Sequence, residues 1–302
     1  MPFRKTVDAT ADRTTEATTA RTTSRTNPRT TARRRRVGRA AAVTALAAAL
    51  GATAMSGSAS AIINGRDSTE RYPFMATLPL SAAQLADGAC GATLIDPRWV
   101  LTAAHCVVGT EATGVTLKGT VRIGSAHRDS GGTVRNVDRV VVHPGFGFGD
   151  GATAPNHDDL ALVRLDRPVA QQPVRIADRP GPAGTPTRLL GFGTVVDTTD
   201  YQQMVFPDRL QELPTRVGAQ ADCAPGWAGS TRLCTLSQVP QAMACFGDSG
   251  GPQIQRGRGG RWELVGTTSG PGAPGTACAD GPGLYTDVPA YAPWIRGTLS
   301  GR

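Results

Sequence analysis

The sequence predicts an all-β fold of the sandwich or barrel type, on three observations. Short β-rich runs recur along the chain between clusters of Gly, Pro, Asp and Asn. No long window outside the C-terminal end carries a helical hydrophobic period. The 302 residues include 37 Gly and 22 Pro, a turn-rich composition that argues against a helical bundle or coiled coil.

The runs are Phe74–Leu80, Ala92–Ile95, Trp99–Ala103, Val121–Ile123, Val137–Val142, Leu160–Leu165, Arg188–Leu190, Leu210–Val217 and Trp262–Thr268. Their regular spacing is that of a sandwich or barrel. A short helix is expected from about Pro289 to Leu299, where Tyr291, Trp294 and Ile295 fall at helical spacing. The length leaves room for one large or two small domains with real cores. No run of 18 strongly apolar residues occurs, which excludes a multi-span membrane protein.

The net charge of +8 raises nucleic acid as a partner until the charge is located. Residues 1–61 hold 11 basic and 3 acidic side chains, whereas residues 62–302 hold 21 of each. The whole excess lies in the leader, and a basic nucleic-acid face on the folded part has no compositional support. Residues 1–36 are a Thr/Arg-rich leader too poor in apolar groups to order itself. Residues 37–61 follow the run Arg33–Arg36 with an Ala-rich apolar block and end in Ala59-Ser60-Ala61, the layout of a secretory signal. The Arg run also fits a twin-arginine export signal. A nucleic-acid-binding arm and a weak anchor are the other readings of this segment. Export makes the protein secreted, with no stable membrane anchor.

All six Cys follow Ala61: Cys90, Cys106, Cys223, Cys234, Cys245 and Cys278. An even count in an exported domain reads as three disulfides, with all fifteen pairings open on counting alone. Zinc lacks support, because no Cys-x-x-Cys pair occurs.

Three segments carry chemistry: Leu101–Cys106, Asn156–Val163 and Cys245–Pro252. In the last, Ser249 sits inside Gly247-Asp248-Ser249-Gly250-Gly251. Glycines let the backbone turn sharply and leave N–H groups free beside the hydroxyl, as an oxyanion hole requires. A hydroxyl needs a base, for which His is the usual choice, and the base needs a carboxylate to fix its tautomer. His105, Asp159 and Ser249 supply these parts. Asp159 directly precedes the apolar run Leu160–Val163, so Asp158 is read as a loop acid. His127, His143 and His157 are read as surface or loop residues.

With these residues the chain resembles the chymotrypsin/trypsin family of serine endopeptidases, including the secreted trypsin-like proteases of actinobacteria. The hexapeptide Gly247–Pro252, Ala103-Ala104-His105-Cys106 and Asp159-Leu160-Ala161-Leu162 occur in the family's order. The likeness runs through nearly all of 62–302 and includes Gly191-Phe192-Gly193 and His143–Phe146. It implies two packed six-stranded antiparallel β-barrels, about 62–173 and 174–302, with a short C-terminal helix. His105, Asp159 and Ser249 would be the catalytic triad, and the N–H groups of Gly247 and Ser249 the oxyanion hole. The pairings implied are Cys90–Cys106, Cys223–Cys234 and Cys245–Cys278.

The start Ile62-Ile63-Asn64-Gly65 matches the mature start of the family, and Asp248 would pair with the new ammonium of Ile62. Because Ile62 directly follows Ala61, signal cleavage there would itself create that amine. An earlier cut near Ala54 would leave a short pro-peptide instead. Pairing should raise the amine's pKa, so activity should fail at alkaline pH.

In the family the residue six before the nucleophile lies at the base of the specificity pocket, with Ser269, Gly270, Pro271 and Gly283 along its wall. Here it is Met243, which cannot pair a Lys or Arg side chain. Small or medium apolar residues before the scissile bond are expected; a Met243 packed sideways would leave a deep apolar pocket instead. Pro271 has no N–H to offer a substrate strand, and Gly272 is expected to take that role. The family's calcium loop would fall at about 117–133, where Asp129 is the one carboxylate, so no metal and no cofactor are expected. The partners implied are protein or peptide substrates and protein inhibitors, and the enzyme would be a monomer. A catalytically weak or inactive binding protein and an esterase are the rival readings.

Overall fold

Strands whose apolar residues face inward close on themselves twice in this chain. The computed structural model describes residues 62–81, 88–109, 116–117 and 119–301. The leader and export segment at 1–61 lie outside the described residues.

After the short strand β1 (Arg66–Asp67), the first barrel begins with β2 (Met75–Ser81), β3 (Ala89–Asp96) and β4 (Trp99–Thr102). Beyond the two-residue β5 (Thr116–Leu117) it continues with β6 (Thr120–Ile123), β7 (Thr133–Val142) and β8 (Ala161–Leu165). Six antiparallel strands close it in the order β2-β3-β4-β8-β7-β6, with β5 added to β2. A parallel strand β9 (Arg175–Ile176) precedes the second barrel. That barrel holds β10 (Pro186–Gly191), β11 (Gln211–Val217), β12 (Arg232–Ser237), β13 (Pro252–Arg256), β14 (Trp262–Pro271) and β15 (Gly283–Asp287). It closes in the order β10-β11-β12-β15-β14-β13. Closure leaves neither barrel a long free edge. The helix α1 (Ala292–Leu299) ends the fold behind a single 3-10 turn, Val288–Tyr291.

The two barrels exchange ends. Strand β1 pairs with β11 of the second barrel although it precedes the first in sequence. Ile295 of α1 joins the hydrophobic cluster that holds Leu78, Leu94, Leu101 and Ile123 of the first barrel. That cluster also takes in Ile254 and Leu264, so apolar packing is continuous across the seam. Each fully buried Leu there contributes roughly 2 kcal/mol.

All nine expected runs are strands. Three full strands carry no such signal: β12, β13 and β15. Strand β13 reads Pro-Gln-Ile-Gln-Arg, poor in β-formers, yet Gln253 is fully buried. Its amide donates to the hydroxyls of Thr187 (3.1 Å) and Thr235 (2.9 Å) inside the barrel. A polar interior of this kind hides the alternation that marks a strand. Strand β7 begins at Thr133 rather than Val137, because Thr133–Asn136 pair in register with β6.

Candidate active site

Neighbouring strands bring His105 and Asp159 together. β4 pairs with β8 so that Thr102 faces Ala161; His105 leaves the end of β4 in a 3-10 turn, and Asp159 stands just before β8. Ser249 lies on the loop between β12 and β13 of the other barrel. Its carbonyl accepts the Gly91 N–H of β3 (2.8 Å) and lies 3.7 Å from the Cys106 sulfur, next to His105. The glycines make this approach possible. Gly250 has φ +77°, and a Cβ there would lie 2.5 Å from the Gly91 carbonyl oxygen.

Asp159 is buried and grips His105 at two points. One carboxylate oxygen accepts the His105 backbone N–H at 2.9 Å, and the other faces ring Nδ1 at 2.7 Å. The Nδ1 oxygen also accepts the Ser269 hydroxyl at 2.6 Å and the Asn156 amide at 3.3 Å. Burial disfavours the Asp159 charge, but His105 and these donors outweigh it and hold the carboxyl below its ordinary range. Burial likewise opposes the His105 imidazolium; the charge and hydrogen bond of Asp159 prevail, and its pKa is raised. The side chain keeps 19% of its surface exposed. Among the described residues neither the Ser249 hydroxyl nor His105 Nε2 has a hydrogen-bond partner, so both are open to a reactant.

Asp158, with φ +47°, turns the other way and accepts the Tyr291 hydroxyl at 2.6 Å. His127 is exposed and pairs with Asp208, and His157 is exposed. His143 is a loop residue just after β7, half-buried, with its ring edge-on to Tyr291 and Trp294.

Around Ser249 the loop's amides divide cleanly. Those of Asp248, Gly250 and Gly251 donate to the carbonyls of Cys245, Thr268 and Asp248. Among the described residues nothing accepts the N–H of Gly247 or of Ser249. Two free donors flanking a hydroxyl form a site for a developing oxyanion.

The Asp248 carboxylate is fully buried. It accepts the N–H of Gly193 (2.8 Å) and of Cys245 (3.0 Å), with no cation beside it among the described residues. Burial pushes its carboxyl up to about 7, against the pull of those two donors. Ile62 is also fully buried, in a cluster with Leu189, Leu213, Met243 and Tyr285. Its φ of +64° is a rare conformation for a β-branched residue.

Met243 is 2% exposed and packs in that same cluster, its carbonyl bonded to the Ile63 N–H. Its sulfur lies 3.9 Å from the Tyr285 hydroxyl and 3.2 Å from where a Cβ of Gly283 would stand. Gly270 and Pro271, opposite Leu284 and Gly283 in the β14–β15 ladder, line a cavity of about 270 Å³. Ser269 lines that cavity as well, and its hydroxyl turns to donate to Asp159. One expectation needs correction. Gly272 cannot replace Pro271 as a substrate-pairing donor: its N–H bonds the Pro282 carbonyl at 2.6 Å, and its carbonyl accepts the Ala224 N–H.

Disulfides join Cys90 to Cys106, Cys223 to Cys234 and Cys245 to Cys278, the pairings the resemblance implies. Cys90 and Cys106 are thereby removed as metal ligands beside His105. Asp129 faces Arg128 at 3.2 Å. Asn156, Gly193 and Tyr285 are site residues that sequence reasoning missed. Gly193 lay inside a motif already noted; Asn156 and Tyr285 carried no signal beyond their proximity to one.

A family model described as Trypsin matches residues 62–295. A trypsin of Sarcophaga bullata is 33% identical over 253 residues, 78% of this chain and 88% of that protein. Human kallikrein-12 is 36% identical over 218 residues, 68% and 79% of the two chains. The solved structure of mouse neuropsin, titled a serine protease, superposes with a TM-score of 0.63 at 27% identity, covering 79% of this chain and all of that one.

Proposed function

The chain belongs to the trypsin family and is a serine endopeptidase, and we propose that it works outside the cell through an acyl-enzyme on Ser249. The observation that carries this reading is the meeting of two half-sites: a buried Asp159 bonded to His105, and a serine loop with two unpartnered N–H groups. The Ser249 hydroxyl attacks the peptide carbonyl carbon while His105 Nε2 takes its proton. The N–H groups of Gly247 and Ser249 hold the oxyanion. Collapse expels the amine, which receives that proton, and leaves an ester on Ser249. Water, deprotonated by His105, then hydrolyses the ester and restores the hydroxyl. Asp159 holds the ring in the tautomer with a proton on Nδ1 and stabilises the imidazolium. Protein and peptide substrates follow from the family; protein inhibitors and a monomeric state belong to this reading.

Cleavage after Ala61 would place an ammonium at Ile62 for Asp248. A buried carboxylate held by two N–H groups and no cation supports a partner yet to arrive. So does the left-handed φ of Ile62, a constraint that vanishes once no peptide precedes the residue. The three disulfides support an oxidising, extracellular setting, in line with the secretory layout of residues 37–61.

For substrate choice, Met243 leaves an apolar floor between Gly283 and Tyr285, which favours small or medium apolar residues before the scissile bond. Cleavage of a diverse peptide library by the protein beginning at Ile62, read by mass spectrometry, tests this. Cuts after such residues are expected. Cuts mainly after Lys or Arg would overturn the pocket reading. Absence of cuts would favour an inert binding protein.

A further inference from the structure

We propose that Asn156 is a second positioning residue for Asp159, one that ties the catalytic carboxylate to the wall of the neighbouring cavity. The inference rests on the acyl-enzyme reading above and adds a residue to it. Asn156 Nδ2 approaches the Asp159 oxygen that faces His105 Nδ1, at 3.3 Å. The amide's orientation is fixed by its other end, because Asn156 Oδ1 accepts the Gly149 N–H at 3.0 Å. A backbone N–H needs an acceptor, so the oxygen must face Gly149 and the NH₂ must face Asp159. The Asn156 carbonyl in turn accepts from the Arg232 guanidinium at 3.4 Å. The residue is therefore held at its side chain by Gly149 and at its backbone by Arg232.

The same amide borders the cavity of about 270 Å³, whose walls include Trp227, Leu284, Pro271 and Asp150. Ser269 borders it too. Both residues that donate to the His105-facing oxygen of Asp159 thus line one cavity. An upstream substrate side chain entering it meets the donors that hold the triad's acid, which couples occupancy to the orientation of His105. The charged groups near this amide are Asp159 with His105, Asp158 bonded to Tyr291, Asp150 on the cavity rim and Arg232 behind the carbonyl. Asp150 is occupied by its own loop, accepting the N–H groups of Ala152, Thr153 and Ala154.

The test compares wild type, Asn156→Ala and Asn156→Asp in the processed enzyme. Asn156→Asp keeps an acceptor for Gly149, so the loop retains its anchor, but it also sets a second carboxyl beside Asp159 and is the harsher of the two variants. Turnover is measured on a one-residue nitrophenyl ester, too short to reach the cavity, and on a hexapeptide. Both variants should lose about three- to tenfold in kcat on the ester with KM little changed. The acid limb of kcat/KM should move up by about half a unit in Asn156→Ala, because a less satisfied Asp159 holds the imidazolium more tightly, and further in Asn156→Asp, where the added carboxyl acts in the same direction. Unchanged kcat and acid limb on the ester, with KM altered for the hexapeptide alone, would make Asn156 a cavity wall only and overturn the proposal. Fluorophosphonate labelling of wild-type Ser249 is run alongside. Should it fail, the acyl-enzyme reading falls and this inference with it; should it succeed, the variants judge Asn156 alone.

Discussion

Asp159 holds His105 at both ends of one residue, through the backbone N–H at 2.9 Å and ring Nδ1 at 2.7 Å. The first bond fixes where the residue sits, and the second fixes how its ring is turned. An Asn in place of Asp159 can keep the first as acceptor, but its NH₂ favours the wrong imidazole tautomer.

Asp159→Asn should therefore leave the fold intact and lower kcat by about 10⁴-fold, the scale of the same exchange in the family's template enzyme. The acid limb of the pH profile should also move down. The His105 pKa is raised by Asp159, and a neutral amide removes that support. Steady-state kinetics across pH 5 to 9 check both; an acid limb that stays in place would exclude Asp159 as the source of the shift.

A second expectation concerns stability before processing. In the fold the Asp248 carboxyl lies near 7, against about 3.9 for an ordinary Asp. Between those values the folded chain holds a proton that the unfolded chain has lost, so stability falls as pH rises from about 4 to about 7. Asp287, pushed by burial up to about 6, adds to the same decline. In the uncut Ser249→Ala protein, the urea midpoint should drop between pH 5 and pH 7.5. Asp248→Asn should remove much of that drop. An equal drop in both proteins would place its origin elsewhere.

Met243→Ala should enlarge the pocket floor between Gly283 and Tyr285 and shift cleavage toward larger apolar residues. Because Met243 also packs against Ile62 and Leu213, a stability loss of about 2–5 kcal/mol should accompany it. Library cleavage and a denaturation curve read the two effects separately. Unchanged preference with lost stability would mean that Met243 packs sideways.

The Cys245–Cys278 bridge spans 33 residues and ties the serine loop to the segment after the β14 cavity wall. Replacing both cysteines with Ala should cost about 2–5 kcal/mol in urea unfolding. It should also slow fluorophosphonate capture by Ser249, because the Gly247 and Ser249 amides lose their anchor. Capture at the wild-type rate would show that the Gly91 and Thr268 bonds hold the loop unaided.

Much of this candidate site was legible from residue type and order, because Ser249, His105 and Asp159 each sit in a motif whose chemistry is local. The loop around Ser249 is one: its glycines announce a turn with free amides, and the turn has them. What stayed hidden depends on long-range approach. Asn156 reaches Asp159 only because the loop at 149–156 folds back through the Gly149 bond. Ser269 was legible as a pocket residue, but its position along β14 says nothing of its hydroxyl turning to Asp159. Strands β13 and β15 escaped notice for a related reason. The Gln253 NH₂ donates to threonines of other strands, and Gly283 opens β15 because Met243 and Tyr285 leave no room for a larger side chain.

The central claim is that Ser249 is the nucleophile served by His105. Treating protein that begins at Ile62 with a fluorophosphonate, then locating the adduct by peptide mass spectrometry, tests it most directly. The account predicts one adduct, on Ser249, absent from Ser249→Ala and formed far more slowly in His105→Ala. An adduct on another residue, or none on the folded protein, would contradict it.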